Sequence, residues 1–339
     1  MNSERINPYT ILSTYRLPLM GIAALWVMLF HSSNYLYYNL LGAIAHTGYA
    51  GVDIFLFLSG YGLYYSSLKK QTTLQFYKKR FIRIFPPFIL IILLNFLLKG
   101  GDVWTFAMQA STIGFWINQP SFGWYVSAIV VLYLCFPWYI RLFRKSPNVA
   151  TITTVLIAIG FVVATWIFDY NIGIKYDFFS RIPIFAIGIW VGYLSKQDIA
   201  DKATRIPPAL FYLLSILGIG LLACSMNFYS HFRWIGGDML LFFLIVPGVC
   251  LFLCNIFAFV EKRKAFIASL ILKPMTFIGT MSLELYLVHE QVFYPYIVYS
   301  PDIHLNKWIK FFILSIISVV VAYLIHKVIT LLLKKINYA

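Results

Sequence analysis

Five ionisable residues stand inside stretches otherwise built of apolar side chains: His31, Asp53, Glu284, His289 and Glu290. An ionisable group at bilayer depth is costly unless it faces protein or water, so each is a candidate for function. An imidazole there can take and return a proton near neutral pH. A carboxylate beside it would fix its tautomer and raise its basicity, the relation of base and orienter in acyl-transfer chemistry. The plainer reading of each residue is a hydrogen bond between neighbouring helices. Rise per residue puts His31 roughly 21 Å along a helix that begins at Leu17, and Asp53 roughly 7 Å below the far end of a helix that begins at residue 48. His289 comes out roughly 20 Å along a helix that begins at residue 276. The three heights are similar, so Asp53 is expected to orient His31, with His289 facing the same cavity.

The elements that must hold these residues are too apolar for a soluble enzyme. The chain has 339 residues, 61% hydrophobic and 12% charged, with a mean hydropathy of +0.80; soluble domains are about 45–50% apolar and about 25% charged. Runs of about 20 apolar residues, the length that crosses a bilayer core, recur throughout. The pattern predicts an all-α membrane protein of about ten transmembrane helices, at 17–38, 48–67, 84–98, 121–142, 149–168, 179–195, 208–226, 237–259, 276–298 and 308–333. Pro86 and Pro87 are read at the first turn of the third, where a missing amide costs least. Trp104 to Asn118 is read as a re-entrant or interfacial helix. The first run is too long and aromatic for a signal peptide and is expected to be retained. Tyr35, Tyr37 and Tyr38 are expected as interfacial anchors, with sugar stacking as the alternative. Residues 1–339 read as one transmembrane domain without a soluble domain.

Net charge of +15 would suit nucleic acid if it were gathered in one patch. Instead most of the 27 lysines and arginines fall in alternate gaps between apolar runs. That is the positive-inside pattern; it puts both termini in the cytoplasm and predicts no nucleic-acid partner. Cys135, Cys224, Cys250 and Cys254 all lie in apolar runs, which supports neither a disulfide framework nor a metal site. The segment "KKQTTLQFYKKRFIRIFPPF", Lys69 to Phe88, carries basic residues and no acidic ones. Arg80 and Arg83 are three apart, share a helix face and can clamp a polyphosphate. Attraction to anionic lipid headgroups is the alternative.

With these residues in view, the chain resembles the acyltransferase-3 family of integral membrane acyltransferases. The resemblance lies in "GIAALWVMLFH" from Gly21 to His31, "GVDIFLFLSGYGL" from Gly51 to Leu63, "RFIRIFPPF" from Arg80 to Phe88 and "MSLELYLVHEQVF" from Met281 to Phe293. A weaker echo is "FGWYVSAIVVLYLCFP", Phe122 to Pro137. One position departs: the family's first-helix Arg falls on Met20 here, and Arg16, one turn earlier, either takes its place or serves as an inside anchor. The resemblance implies acyl transfer from a cytoplasmic acyl-CoA, expected to be acetyl-CoA, to a hydroxyl of a cell-surface glycan or lipid-linked sugar.

On that reading the protein is a multi-pass O-acyltransferase of the cell membrane, in contact with membrane lipids. Arg80, Arg83 and Arg16 hold the donor's anionic head, and Arg16 to His31 spans roughly 22 Å along a helix axis, a length suited to an extended pantetheine arm. His31 acts as general base or accepts the acyl group, and Asp53 orients it. Ser282, Glu284, Tyr286 and His289 line the cavity or position the acceptor. Two other classes stay open: a proton-coupled transporter, which also uses intramembrane His, Asp and Glu, and an inactive assembly subunit.

Overall fold

The structure is a computed structural model, and it describes residues 7–32, 40–168, 175–197, 206–228, 237–293 and 306–335. Tyr35, Tyr37 and Tyr38 lie outside them. The helices that matter here are α1 (Arg16–His31), α2 (Leu40–His46), α3 (Gly51–Ser67), α4 (Thr73–Lys99), α5 (Val103–Ala110), α6 (Trp124–Lys145) and α7 (Pro147–Ile167). They continue as α8 (Ile182–Leu194), α9 (Pro208–Phe228), α10 (Phe242–Arg263), α11 (Ala265–Thr280), α12 (Ser282–Phe293) and α13 (Lys307–Lys335). No strand occurs among the described residues. Each expected apolar run falls on a helix. Among the described residues 7 helices are long and apolar enough to cross a membrane, or 9 if each of two bent pairs is one span.

Three expectations about these helices change. The third run does not begin at the prolines: α4 starts at Thr73, behind a Thr72–Gln75 capping box, and carries Pro86 and Pro87 in its interior. The prolines deprive the carbonyls of Ile82 and Arg83 of helical donors, a loss that membrane helices tolerate when neighbours re-satisfy the backbone. The basic segment is therefore helical and continuous with the apolar one. The first run ends as a helix at His31, so the imidazole stands at a helix terminus. It also begins with a 67° bend after Thr14, where Pro18 in the first turn of α1 has no amide to give to the preceding turn.

The ninth run, expected to be one helix, is bent by 76° between α11 and α12. Met281 N–H bonds the Ile278 carbonyl at 3.2 Å, one residue early. The Phe277 carbonyl receives the Thr280 hydroxyl at 2.7 Å instead. A side-chain hydroxyl entering the backbone ladder next to Gly279 is a recognised cause of a sharp kink.

The chain folds as two compact units. The first comprises Met1–Met20, Val52–Lys70 and Cys135–Met275. In it α3 and α8 touch backbone to backbone: a Cβ at Gly60 would strike the Phe185 carbonyl, and one at Gly188 would strike the Phe57 carbonyl. Without an aqueous hydrophobic effect, such small-residue contacts are what bring membrane helices together. The second unit comprises Gly21–Gly51, Gln71–Leu134 and Thr276–Ala339. Its α12 packs on α13 and α4, and Trp26 Nε1 donates to the Ile44 carbonyl at 2.8 Å, pinning α2 to α1. The stretch from Trp104 holds the short α5, capped by Asp102 through Thr105 N at 2.9 Å and Thr105 Oγ1 at 2.7 Å. Those hydrogen bonds hold the Asp102 carboxyl below its ordinary range.

Candidate active site

The second unit brings His31 and His289 into contact. His31 ends α1, and His289, about two turns into α12, reaches it with Nε2 2.6 Å from His31 Nδ1. The ring centroids are 4.8 Å apart. His289 is 0% exposed, and its Nδ1 lies 2.9 Å from the Leu285 carbonyl. A carbonyl only accepts, so His289 Nδ1 carries the proton and its Nε2, in the neutral ring, accepts from His31 Nδ1–H. The chain of donors thereby leaves His31 with its lone pair on Nε2, the nitrogen suited to take a proton from a hydroxyl. An imidazole anchored to a peptide carbonyl thus does for His31 what the sequence assigned to a carboxylate.

Around this pair, Tyr286 packs against His289 at 5.8 Å between ring centroids and against Tyr125 at 5.3 Å. Ser282 is buried at the start of α12. Glu290 Oε1 stands 3.8 Å from His31 Nε2, with side-chain exposures of 14% for the histidine and 19% for the glutamate. Beyond it, Lys99 Nζ donates to Gln291 Oε1 at 2.9 Å. Glu284 faces elsewhere than expected: its Oε1 is 2.8 Å from Nδ1 of His326 on α13. One helix thus presents Glu284 to α13 and His289 to α1, on different faces. His326 was overlooked in the sequence, although an ionisable residue in an apolar run is the signal that singled out the other five.

Asp53 also has a different partner from the one expected. Its Oδ2 accepts from Arg181 Nε at 3.2 Å in the first unit. Arg181 Nη1 donates to the Asp177 carbonyl at 3.1 Å and to Asp177 Oδ1 at 3.2 Å. Asp53 and Arg181 are each 1% exposed. A dry guanidinium between two carboxylates is held by charge compensation, and removing either sign would leave the other stranded. Arg181 was visible in the sequence only as a basic residue near a helix end.

The three arginines assigned to the donor lie on two helices. Arg80 and Arg83 share a face of α4, in the second unit. Arg80 lies over the Phe76 ring at 5.5 Å and the Tyr133 ring at 5.7 Å, and among the described residues its buried Nε has no hydrogen-bond partner. Arg83 is exposed. Arg16 belongs to the first unit and lies along Gly62, where its Nη2 would be 3.2 Å from an added Cβ. Met20, the position where an arginine was expected, is buried.

Comparison with known proteins gives this geometry a setting. A family model described as an acyltransferase domain, that of the acyltransferase-3 family, matches residues 19–327, which run through both units. The chain is 27% identical over 338 residues to "O-acetyltransferase OatA" of Staphylococcus aureus strains NCTC 8325 / PS 47 and COL, covering 86% of this chain and 51% of each relative. It is 29% identical over 129 residues to "Acyltransferase MdmB" of Streptomyces mycarofaciens, covering 33% of this chain and 32% of that protein. The chain thus spans about half the length of the OatA relatives. No solved structure matches it.

Proposed function

The chain belongs to the acyltransferase-3 family, and from that premise we propose that it is an O-acyltransferase of the cell membrane. It moves a short acyl group, acetyl in the first instance, from cytoplasmic acyl-CoA to a hydroxyl of a cell-surface or lipid-linked carbohydrate. The observation that carries the proposal is the proton-ordered pair His289–His31, with Nε2 of His31 as the basic atom. In the reaction His31 Nε2 takes the proton of the acceptor hydroxyl as its oxygen attacks the thioester carbonyl. The thioester C–S bond breaks, and the same nitrogen returns the proton to the departing thiolate. His289 keeps the imidazolium oriented throughout. Asp53 contributes by locking Arg181 and thereby the α3–α8 contact.

The donor's anionic head is assigned to Arg80 and Arg83. The arginines' spacing, and an Arg80 Nε without a hydrogen-bond partner among the described residues, favour a phosphate ligand. On the proposed topology of ten spans with both termini in the cytoplasm, that pair meets the donor's head at the inner side and His31 meets its thioester. Relatives named for O-acetyl transfer favour acetyl-CoA and an envelope carbohydrate. Purified protein given acetyl-CoA and a candidate glycan tests the proposal: CoA release that depends on the acceptor and leaves an ester on it is expected. Release without an acceptor, or none with any envelope glycan, overturns it.

A further inference from the structure

Glu284 and His326 take no part in the reaction just described, yet both are ionisable and stand on apolar helices, where such groups are costly and are candidates for function. Glu284 is buried, and its Oε1 lies 2.8 Å from His326 Nδ1, one hydrogen bond whichever of the two atoms carries the hydrogen. Their helices, α12 and α13, both pack on α4. Arg83 of α4 acts on His326 through its charge, and on Arg80 in the same way. A buried carboxylate in such company would ordinarily pair with a guanidinium, the more so because carboxylate and phosphate fit the same guanidinium fork. Here it does not: among the described residues neither arginine forms an ion pair. The carboxylate is spent on the imidazole instead.

We infer that His326 is a positioning residue that holds Glu284 away from Arg83 and so keeps the two arginines open for the donor's phosphate. The inference rests on the assignment of Arg80 and Arg83 to acyl-CoA, and adds to it a residue that touches no part of the donor. All of these side chains belong to the second unit. Without the imidazole, Glu284 is left buried and unpartnered, and the long Arg83 side chain is the cation able to supply a partner. Phosphate then competes with a carboxylate tethered beside its site, at an effective concentration that free ligand does not match. The hydrogen bond between Glu284 and His326 removes that competitor.

The test is a double-mutant cycle read as the Kd for CoA, measured by calorimetry on the full chain in detergent. His326→Leu is expected to weaken CoA about ten-fold, the scale of one charge-assisted hydrogen bond. His326→Leu combined with Glu284→Gln is expected to bind close to wild type, because the competing carboxylate is gone. Glu284→Gln alone is expected close to wild type as well, and it carries the test if His326→Leu does not fold. A His326→Leu protein that binds CoA as wild type does overturns the inference. So does one that stays weak when Glu284 is also replaced, the behaviour of a purely structural residue. A Kd raised by Glu284→Gln alone overturns it too, since the carboxylate is then a donor contact and not a competitor. Replacing Arg80 and Arg83 together with Gln separates these failures from that of the underlying reading. If that protein binds CoA as tightly as wild type, the phosphate of this site is a lipid's, and the donor assignment falls with the inference built on it.

Discussion

Arg181 and His31 both sit among apolar helices, yet their surroundings differ in kind. Arg181 is 1% exposed and spends its donors on Asp53, Asp177 and a backbone carbonyl. His31 is partly exposed, donates one proton along a line of neutral groups and holds its lone pair towards Glu290. Full charges cancel each other in the first cluster, which therefore resists change. In the second, neutral rings set the position of a proton, and a proton can move. A polar cluster in a membrane bundle whose charges are closed off is thus a fastener, whereas one built of neutral rings keeps a proton that can be moved, as the proposed reaction requires.

The contrast can be broken by substitution, the largest effect first. His31→Ala is expected to lower acyl transfer by about 10³-fold or more at normal membrane expression, because the proposed general base is lost, with a small drop in melting temperature as the buried His289 Nε2 loses its donor. Turnover near wild type would remove His31 from the chemistry. Arg181→Met should do the reverse to the fold: about 3–5 kcal/mol of stability is lost because the buried Asp53 and the half-buried Asp177 lose their counter-ion. Thermal unfolding in detergent measures it, and a variant as stable as wild type would show that the cluster is not a fastener.

His289→Ala tests the proton order directly, and a fall of about 10²-fold in kcat with little change in acceptor KM is expected for loss of an orienting partner. A change confined to KM would make His289 an acceptor contact instead. Replacing Arg80 and Arg83 with Gln should raise the apparent KM for acyl-CoA about ten-fold, the scale of one charge-assisted hydrogen bond. Unchanged donor dependence would leave them as lipid anchors. Thr72→Ala removes the capping box of α4 and should cost about 1 kcal/mol, read as a small drop in melting temperature with kinetics intact.

The positions of the helices were legible because bilayer thickness sets their length and composition marks them. His31 and His289 were legible for the same reason, as polar letters in apolar runs. Their contact was guessed from height alone, and so was the contact of His31 with Asp53. Height along a helix says nothing about which way a side chain faces, and Arg181, the ion-pair partner of Asp53, did not enter that reckoning. The bend at Met281 was hidden as well, since Gly279 and Thr280 are ordinary in membrane helices until a hydroxyl enters the ladder.

The sequence by itself determined a helical membrane chain, its motif order, the family and the few residues able to carry protons. Those follow from local chemistry: hydropathy over a helix length, and the cost of an ionisable group in lipid. Only the tertiary structure decided the pairings, His31 with His289, Asp53 with Arg181 and Glu284 with His326. A pairing depends on helix rotation and on kinks, which close packing between distant segments imposes, and no local property of either partner encodes it.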